Sequence, residues 1–139
     1  RAVLVGGYHG AWVPAIPELP VSRAGLGPCG GTPGAGVVHV LPAGRCGLAE
    51  TARIAGYLAG QVAGQCGPCI NGLPRLADTL VALTAGRTTR AEVERLAALV
   101  TGRGACRHPD GTARLIRSGL TTFDADVTAH LSGYCLEHR

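Results

Sequence analysis

The sequence predicts an α+β fold: a short strand-bearing N-terminal region followed by a four- to five-helix bundle. Three observations carry this. Composition changes near residue 45, from glycine- and proline-dense text to text that is neither. Two short β-branched runs lie before that point. Apolar residues recur at helical spacing after it.

Val3-Leu4-Val5 reads as a strand ending at Gly6-Gly7, and Val37-Val38-His39-Val40-Leu41 as a second. Between them Pro14, Pro17, Pro20, Pro28, Pro33 and many glycines predict irregular backbone with tight turns. Leu48, Ala52, Ala55, Leu58, Ala59 and Val62 line a first helix, and Leu73, Leu76, Ala77, Leu80 and Val81 a second that stops at Gly86. Thr89-Arg90-Ala91-Glu92 has capping-box spacing, in which the Thr hydroxyl and the Glu carboxylate satisfy free amides at a helix start. Val93, Leu96, Ala97 and Val100 then form a third helix closed by Gly102. A fourth starts after Pro109-Asp110 with Ala113, Leu115, Ile116 and Leu120 apolar, and a short fifth runs from about Phe123 to Leu131.

At 139 residues the chain is one domain or slightly more, long enough to bury a core without a covalent staple. It holds no Met, one Phe and one Trp, so the core is built from Ala, Leu and Val. The net charge of +4 is spread over scattered arginines with no aromatic interleaving, which argues against nucleic acid. A solvated surface or a docking face for an acidic, ferredoxin-like redox protein both fit it. No apolar stretch reaches the roughly 18–20 residues that span a bilayer, so no direct membrane insertion is expected. The chain starts without Met or a signal-like segment and runs straight into a strand. That reads as a cytoplasmic protein, and as a fragment whose upstream half is missing.

The six cysteines hold the chemistry. Cys66-Gly67-Pro68-Cys69 sits between the first two helices, and Cys106 lies on the loop between the third and fourth. Short connections make successive helices antiparallel, so both links fall at one end of the bundle and the three thiols converge. Soft anionic thiolates suit an iron–sulfur cluster or zinc. The Gly-Pro pair favours a tight turn whose amides can approach cluster sulfurs. Three rival readings fit less well. A thioredoxin-type dithiol needs a strand-to-helix junction that is absent here. A disulfide framework suits shorter secreted chains. Inert buried thiols leave the convergence unexplained.

Four stretches resemble the C-terminal half of the flavoprotein (NADH-binding, F-type) subunit of NADH:quinone oxidoreductase, respiratory complex I. Ala2-Val3-Leu4-Val5-Gly6-Gly7 resembles its strand ending in Gly-Gly. Gly34-Ala35-Gly36-Val37-Val38 resembles its glycine-rich turn entering a strand. Cys66-Gly67-Pro68-Cys69-Ile70-Asn71-Gly72 is similar to the end of its C-x-x-C-x-P-C-x-x-G motif. Cys106, followed by Phe123, Asp126 and His130, resembles its later Cys and F-x-x-E-x-x-x-H. The resemblance implies a partial SLBB, β-grasp-like region over 1–45, a helical iron–sulfur domain over 46–132 and a tail over 133–139. It implies a [4Fe–4S] cluster on Cys66, Cys69 and Cys106 that relays electrons from FMN and NADH bound on an upstream domain or subunit absent from this chain. The chain alone is then expected neither to bind FMN nor to oxidise NADH. A structural zinc site and a cluster-less interaction domain are the alternatives.

Ala63 stands where the family's first motif cysteine falls, so one of four expected ligands is missing. Cys135 and His108 are candidates for the fourth place. Cys29 has no predictable position. Cys46 precedes a helix about 22 Å long and is expected at the far end from the other thiols, as a buried structural cysteine. Three other signals are discounted. Gly25-Leu26-Gly27-Pro28-Cys29-Gly30 fits a dinucleotide fingerprint in letters, but its prolines oppose the required helix. His9 reads as a turn histidine. Phe123 and His130 read as packing and capping residues.

Overall fold

A computed structural model describes residues 1–137. The tail expected over 133–139 therefore lies partly outside the described residues. Three strands form one sheet: β1 (Ala2–Val5), β2 (Ala11–Pro14) and β3 (Val38–Val40), in the order β2-β1-β3 with both pairings antiparallel. Strands β1 and β3 are the two expected. β2 is a correction, because the prolines and glycines there predict irregular backbone. Its outward residue is Pro14, at the end of an edge strand where a missing N–H costs no ladder bond. A four-residue helix, α1 (Arg23–Leu26), and a 3₁₀ turn (Gly27–Cys29) fill the proline-rich segment. The fingerprint-like glycines thus fall in short helical turns and open no dinucleotide helix.

The two glycine stretches that mark the strands meet in space. A Cβ on Gly34 would lie 2.8 Å from the Cα of Gly6, and both residues have positive φ. Only glycine permits that backbone approach. The Gly6 amide then bonds the Val37 carbonyl at 2.9 Å, leading into β3.

Five longer helices follow: α2 (Gly47–Gly60), α3 (Leu73–Thr84), α4 (Arg90–Val100), α5 (His108–Thr122) and α6 (Asp124–Leu131). Thr89 caps α4, its hydroxyl accepting the Glu92 amide at 3.3 Å. The reciprocal half of the box is replaced by an ion pair, because Glu92 Oε1 and Oε2 take the Arg95 guanidinium at 2.7 Å each. The main core joins Leu48, Ala52 and Ala55 to Leu76, Leu80 and Leu83, Val93 and Leu96, and Ile116 and Leu120. Each fully buried leucine stabilises by about 1.5–3 kcal/mol relative to exposure, so these positions outweigh the many alanines between them.

A second apolar cluster seats the sheet on the bundle. Leu4 and Trp12 pack with Ile54, Leu58, Leu115 and Phe123. The Trp12 and Phe123 rings meet edge to face with centroids 5.1 Å apart. Hydrogen bonds lock the same junction: Ser118 Oγ accepts the Trp12 amide at 2.9 Å, and the Thr122 hydroxyl donates to the Trp12 carbonyl at 3.1 Å. Helix α2 therefore faces two ways, towards α3 through Leu48 and Ala55 and towards the sheet through Ile54 and Leu58.

Candidate metal centre

Cys66 and Cys69 occupy the link between α2 and α3. The Cys66 carbonyl accepts the amides of Cys69 and Ile70, both at 3.0 Å, and a π-helical turn over Pro68–Gly72 leads into α3. Such a wide turn is a frequent mark of a functional site. Pro68 sits at its first position, where the absent N–H costs no bond. Cys69 is buried, Cys66 half-buried and Cys106 exposed. Cys106 rides on the α4–α5 loop, which Asp110 pins by accepting the Gly102 amide at 2.7 Å.

The two links lie at one end of the bundle. The Ala105 and Cys69 amides point at the Cys66 sulfur and lower its pKa, in that order of weight. Burial raises the Cys69 thiol, followed by its hydrogen bond with Cys66 and the nearby charges of Cys66 and Cys106. The three sulfurs thus share one electrostatic neighbourhood. They do not form a group with every ligand atom within 4.8 Å. Thiols gathered in this way, with amides directed at the Cys66 sulfur, suit a soft metal centre, an iron–sulfur cluster or zinc. Ala63 is exposed three residues before Cys66 and offers no ligand atom.

His108 is not free to serve as a fourth ligand. Its Nε2–H donates to the Leu58 carbonyl at 2.8 Å, so its Nδ1 accepts from His9 Nε2 at 3.1 Å. Both ring nitrogens are engaged. Asp110, two residues on, bonds Gly102 and Arg107. Burial, then His108 and Arg114, lowers the His9 pKa. His9 lies on the β1–β2 turn, as expected, and its ring is also a part-buried partner of the α5 start. Cys29 packs beside Val5, Val13 and Leu26 under the sheet.

Cys46 lies at the N-terminus of α2, the opposite end from Cys66, as its sequence position implies. It is not alone there. Cys46, His130 and Cys135 bring their ligand atoms within 4.8 Å of one another. Cys135 does fold back, but to Cys46 and not to the other thiols. His130, expected only to cap its helix, places Nε2 3.2 Å from the Cys46 sulfur. Burial pushes the Cys46 thiol up to about 11. Sequence spacing shows only part of this group, the neighbouring His130 and Cys135, because Cys46 lies 84 residues from His130. All six cysteines are free thiols, which excludes the disulfide framework in this structure.

A small antiparallel sheet seated on a helical bundle, with three thiols gathered at the bundle's end, has the architecture of a metal-binding module. The chain belongs to the NADH-ubiquinone oxidoreductase-F iron-sulfur binding region family, which it matches over residues 44–130. It is 28% identical over 138 residues to the F 2 subunit of the NADH-quinone oxidoreductase of Rhizobium meliloti (strain 1021), covering 94% of this chain and 32% of that protein. The chain thus spans about a third of that relative's length. Two solved structures of an NAD+-reducing [NiFe]-hydrogenase share the fold. The air-oxidized state matches with a TM-score of 0.77 at 25% identity, over 94% of this chain and 23% of that one. The H2-reduced state matches with 0.78 at 27% identity, over 96% and 23%. No helix among the described residues is long and apolar enough to cross a membrane.

Proposed function

We propose that the chain holds a [4Fe–4S] cluster on Cys66, Cys69 and Cys106 and serves as one relay in an electron path from an upstream flavin. The observation that carries this is the convergence of those thiols from two links at one end of the bundle, with backbone amides aimed at Cys66. The cluster supplies one-electron redox chemistry. The chain's own residues do the rest. Cys69 anchors the centre in the core while Cys106 leaves it open to solvent on one side. The amides of Ala105 and Cys69 stabilise negative charge on sulfur. Asp110 and the Gly102 amide fix the loop that presents Cys106. With Ala63 in place of a thiol, the fourth iron takes a ligand from solvent or from a partner.

FMN and NAD belong to an upstream domain or subunit, since the matched relative is about three times as long as this chain. The apolar groove lined by Val13, Ile16, Leu19, Val21 and Val38 is a face such a unit would cover. Arg75 and Arg103 flank a groove beside Pro68 and Gly72. That charge suits an acidic, ferredoxin-like acceptor. Domain limits of 1–45, 46–132 and 133–139 and a cytoplasmic location belong to the same reading.

Anaerobic reconstitution with iron and sulfide tests it. A brown protein with an EPR signal on reduction supports the proposal. A colourless protein holding zinc at Cys66 and Cys106 supports the structural alternative.

A further inference from the structure

We propose that Cys46, His130 and Cys135 form a second metal site, separate from the cluster thiols and suited to a single zinc-like divalent ion.

The three residues come from three places. Cys46 is the N-cap of α2, His130 lies in the last turn of α6, and Cys135 follows that helix. A built reversal brings Cys135 back. Gly133 adopts φ +84°, its amide bonds the His130 carbonyl at 3.0 Å, and the Tyr134 amide bonds the Ala129 carbonyl at 3.1 Å. This is a left-handed helix stop of the kind glycine favours. Cys46 is buried and Cys135 packs against the main core, so the group sits in a protected pocket.

Its size fits one ion. Zinc bonds of about 2.0–2.3 Å to nitrogen and sulfur place tetrahedral ligands about 3.3–3.8 Å apart. The Cys46 sulfur and His130 Nε2 are 3.2 Å apart, and all three ligand atoms lie within 4.8 Å. Two thiolates and an imidazole match zinc's preferences. The pocket carries a second sign of unmet polar demand. Asp126, one turn before His130 on α6, is 2% exposed; one carboxylate oxygen takes the Arg1 guanidinium at 2.5 Å, and the other is buried without a partner. Its charge also acts on Cys46. Arg1 balances the charge of this carboxylate, but the second oxygen is left without a hydrogen bond, and a cation nearby would give it a favourable contact. With three protein ligands, the fourth position is open to water.

The site ties the start of α2 to the end of α6, the two ends of the family region. The ion would therefore brace the bundle opposite the cluster.

The test removes the cluster thiols first. A full-length chain with Cys66→Ser, Cys69→Ser and Cys106→Ser, purified metal-free under reductant, is titrated with Zn2+ alone. One equivalent should bind, and Co2+ in its place should give the thiolate charge-transfer absorption of a tetrahedral site. Adding Cys46→Ser, His130→Ala or Cys135→Ala should weaken zinc at least about a hundredfold, beyond the loss usual for a residue behind the ligands. Serine is itself a good N-cap, so Cys46→Ser keeps α2 capped. Melting curves of the metal-free variants should coincide with the parent, while the zinc-induced rise in Tm disappears. The proposal is overturned if the triple-serine chain takes up no zinc. It is equally overturned if uptake survives Cys46→Ser and Cys135→Ala unchanged.

Discussion

Gly47 and Gly56, both on α2, should respond to the same substitution with opposite sign. Gly56 is exposed, and a Cβ there meets nothing within 4 Å. Gly56→Ala therefore removes backbone freedom from the unfolded chain and adds nothing to the core, stabilising by about 0.5–1 kcal/mol. Gly47 is buried, and its Cβ would lie 2.2 Å from Cε1 of Phe123 and 2.4 Å from Cδ1 and Cζ. Those are atoms of a ring that is 3% exposed and packed edge to face against Trp12. The ring cannot swing aside as a flexible chain end would. Overpacking of this kind costs about 1–3 kcal/mol, and the helix gain of up to about 1 kcal/mol offsets only part of it, leaving a net loss of about 1–2 kcal/mol. Urea unfolding followed by far-ultraviolet circular dichroism measures both, with unchanged m-values as the sign that only stability moved. Gly47→Ala should cost less in a Phe123→Leu background than in the parent, the coupling expected if the ring is what the new methyl meets. If Gly47→Ala stabilised the chain as Gly56→Ala does, the close seating of Phe123 on the start of α2 would be wrong.

Thr89→Ala removes the hydroxyl that accepts the Glu92 amide, and the urea midpoint should fall by the equivalent of about 1 kcal/mol. The His9 pKa is lowered in the folded state, so the unfolded chain binds more protons as pH falls through the free-imidazole range near 6.5. Stability from this group is present above that range and lost below it. Unfolding titrations from about pH 7.5 to about pH 5.5 should show the loss, and His9→Gln should make the dependence shallower. Ala63→Cys restores a thiol three residues before Cys66; iron retained after exposure to air should rise above that of the parent chain.

The helices are legible in the sequence because their cores are built from leucine and valine at 3.6-residue spacing, and Leu76, Leu80, Leu96 and Ile116 are all buried where that spacing puts them. The nearness of Cys66, Cys69 and Cys106 follows from loop lengths alone. β2 is hidden because Ala11-Trp12-Val13 is a short run beside Pro14, and its strand character comes from pairing with β1 and from burial of Trp12 against Phe123. The pairing of His108 escapes the sequence because its partners, His9 and the Leu58 carbonyl, are distant along the chain. The Cys46–His130–Cys135 group is only half visible for the same reason: His130 and Cys135 are neighbours in sequence, but Cys46 is 84 residues from His130. Helix length puts Cys46 at the far end, but no local pattern announces that the chain reversal at Gly133 brings Cys135 back to it. Local rules give elements and ends of elements; side-chain meetings across segments require the packed fold.

The most direct test is iron and acid-labile sulfide counted per chain after anaerobic reconstitution, in the parent and in Cys66→Ser, Cys106→Ser and Cys46→Ser. About four of each in the parent and in Cys46→Ser, with loss in the other two, is the expected result for a cluster seated on the α2–α3 and α4–α5 links. Sulfide-free protein, or equal iron loss in all three variants, would contradict it.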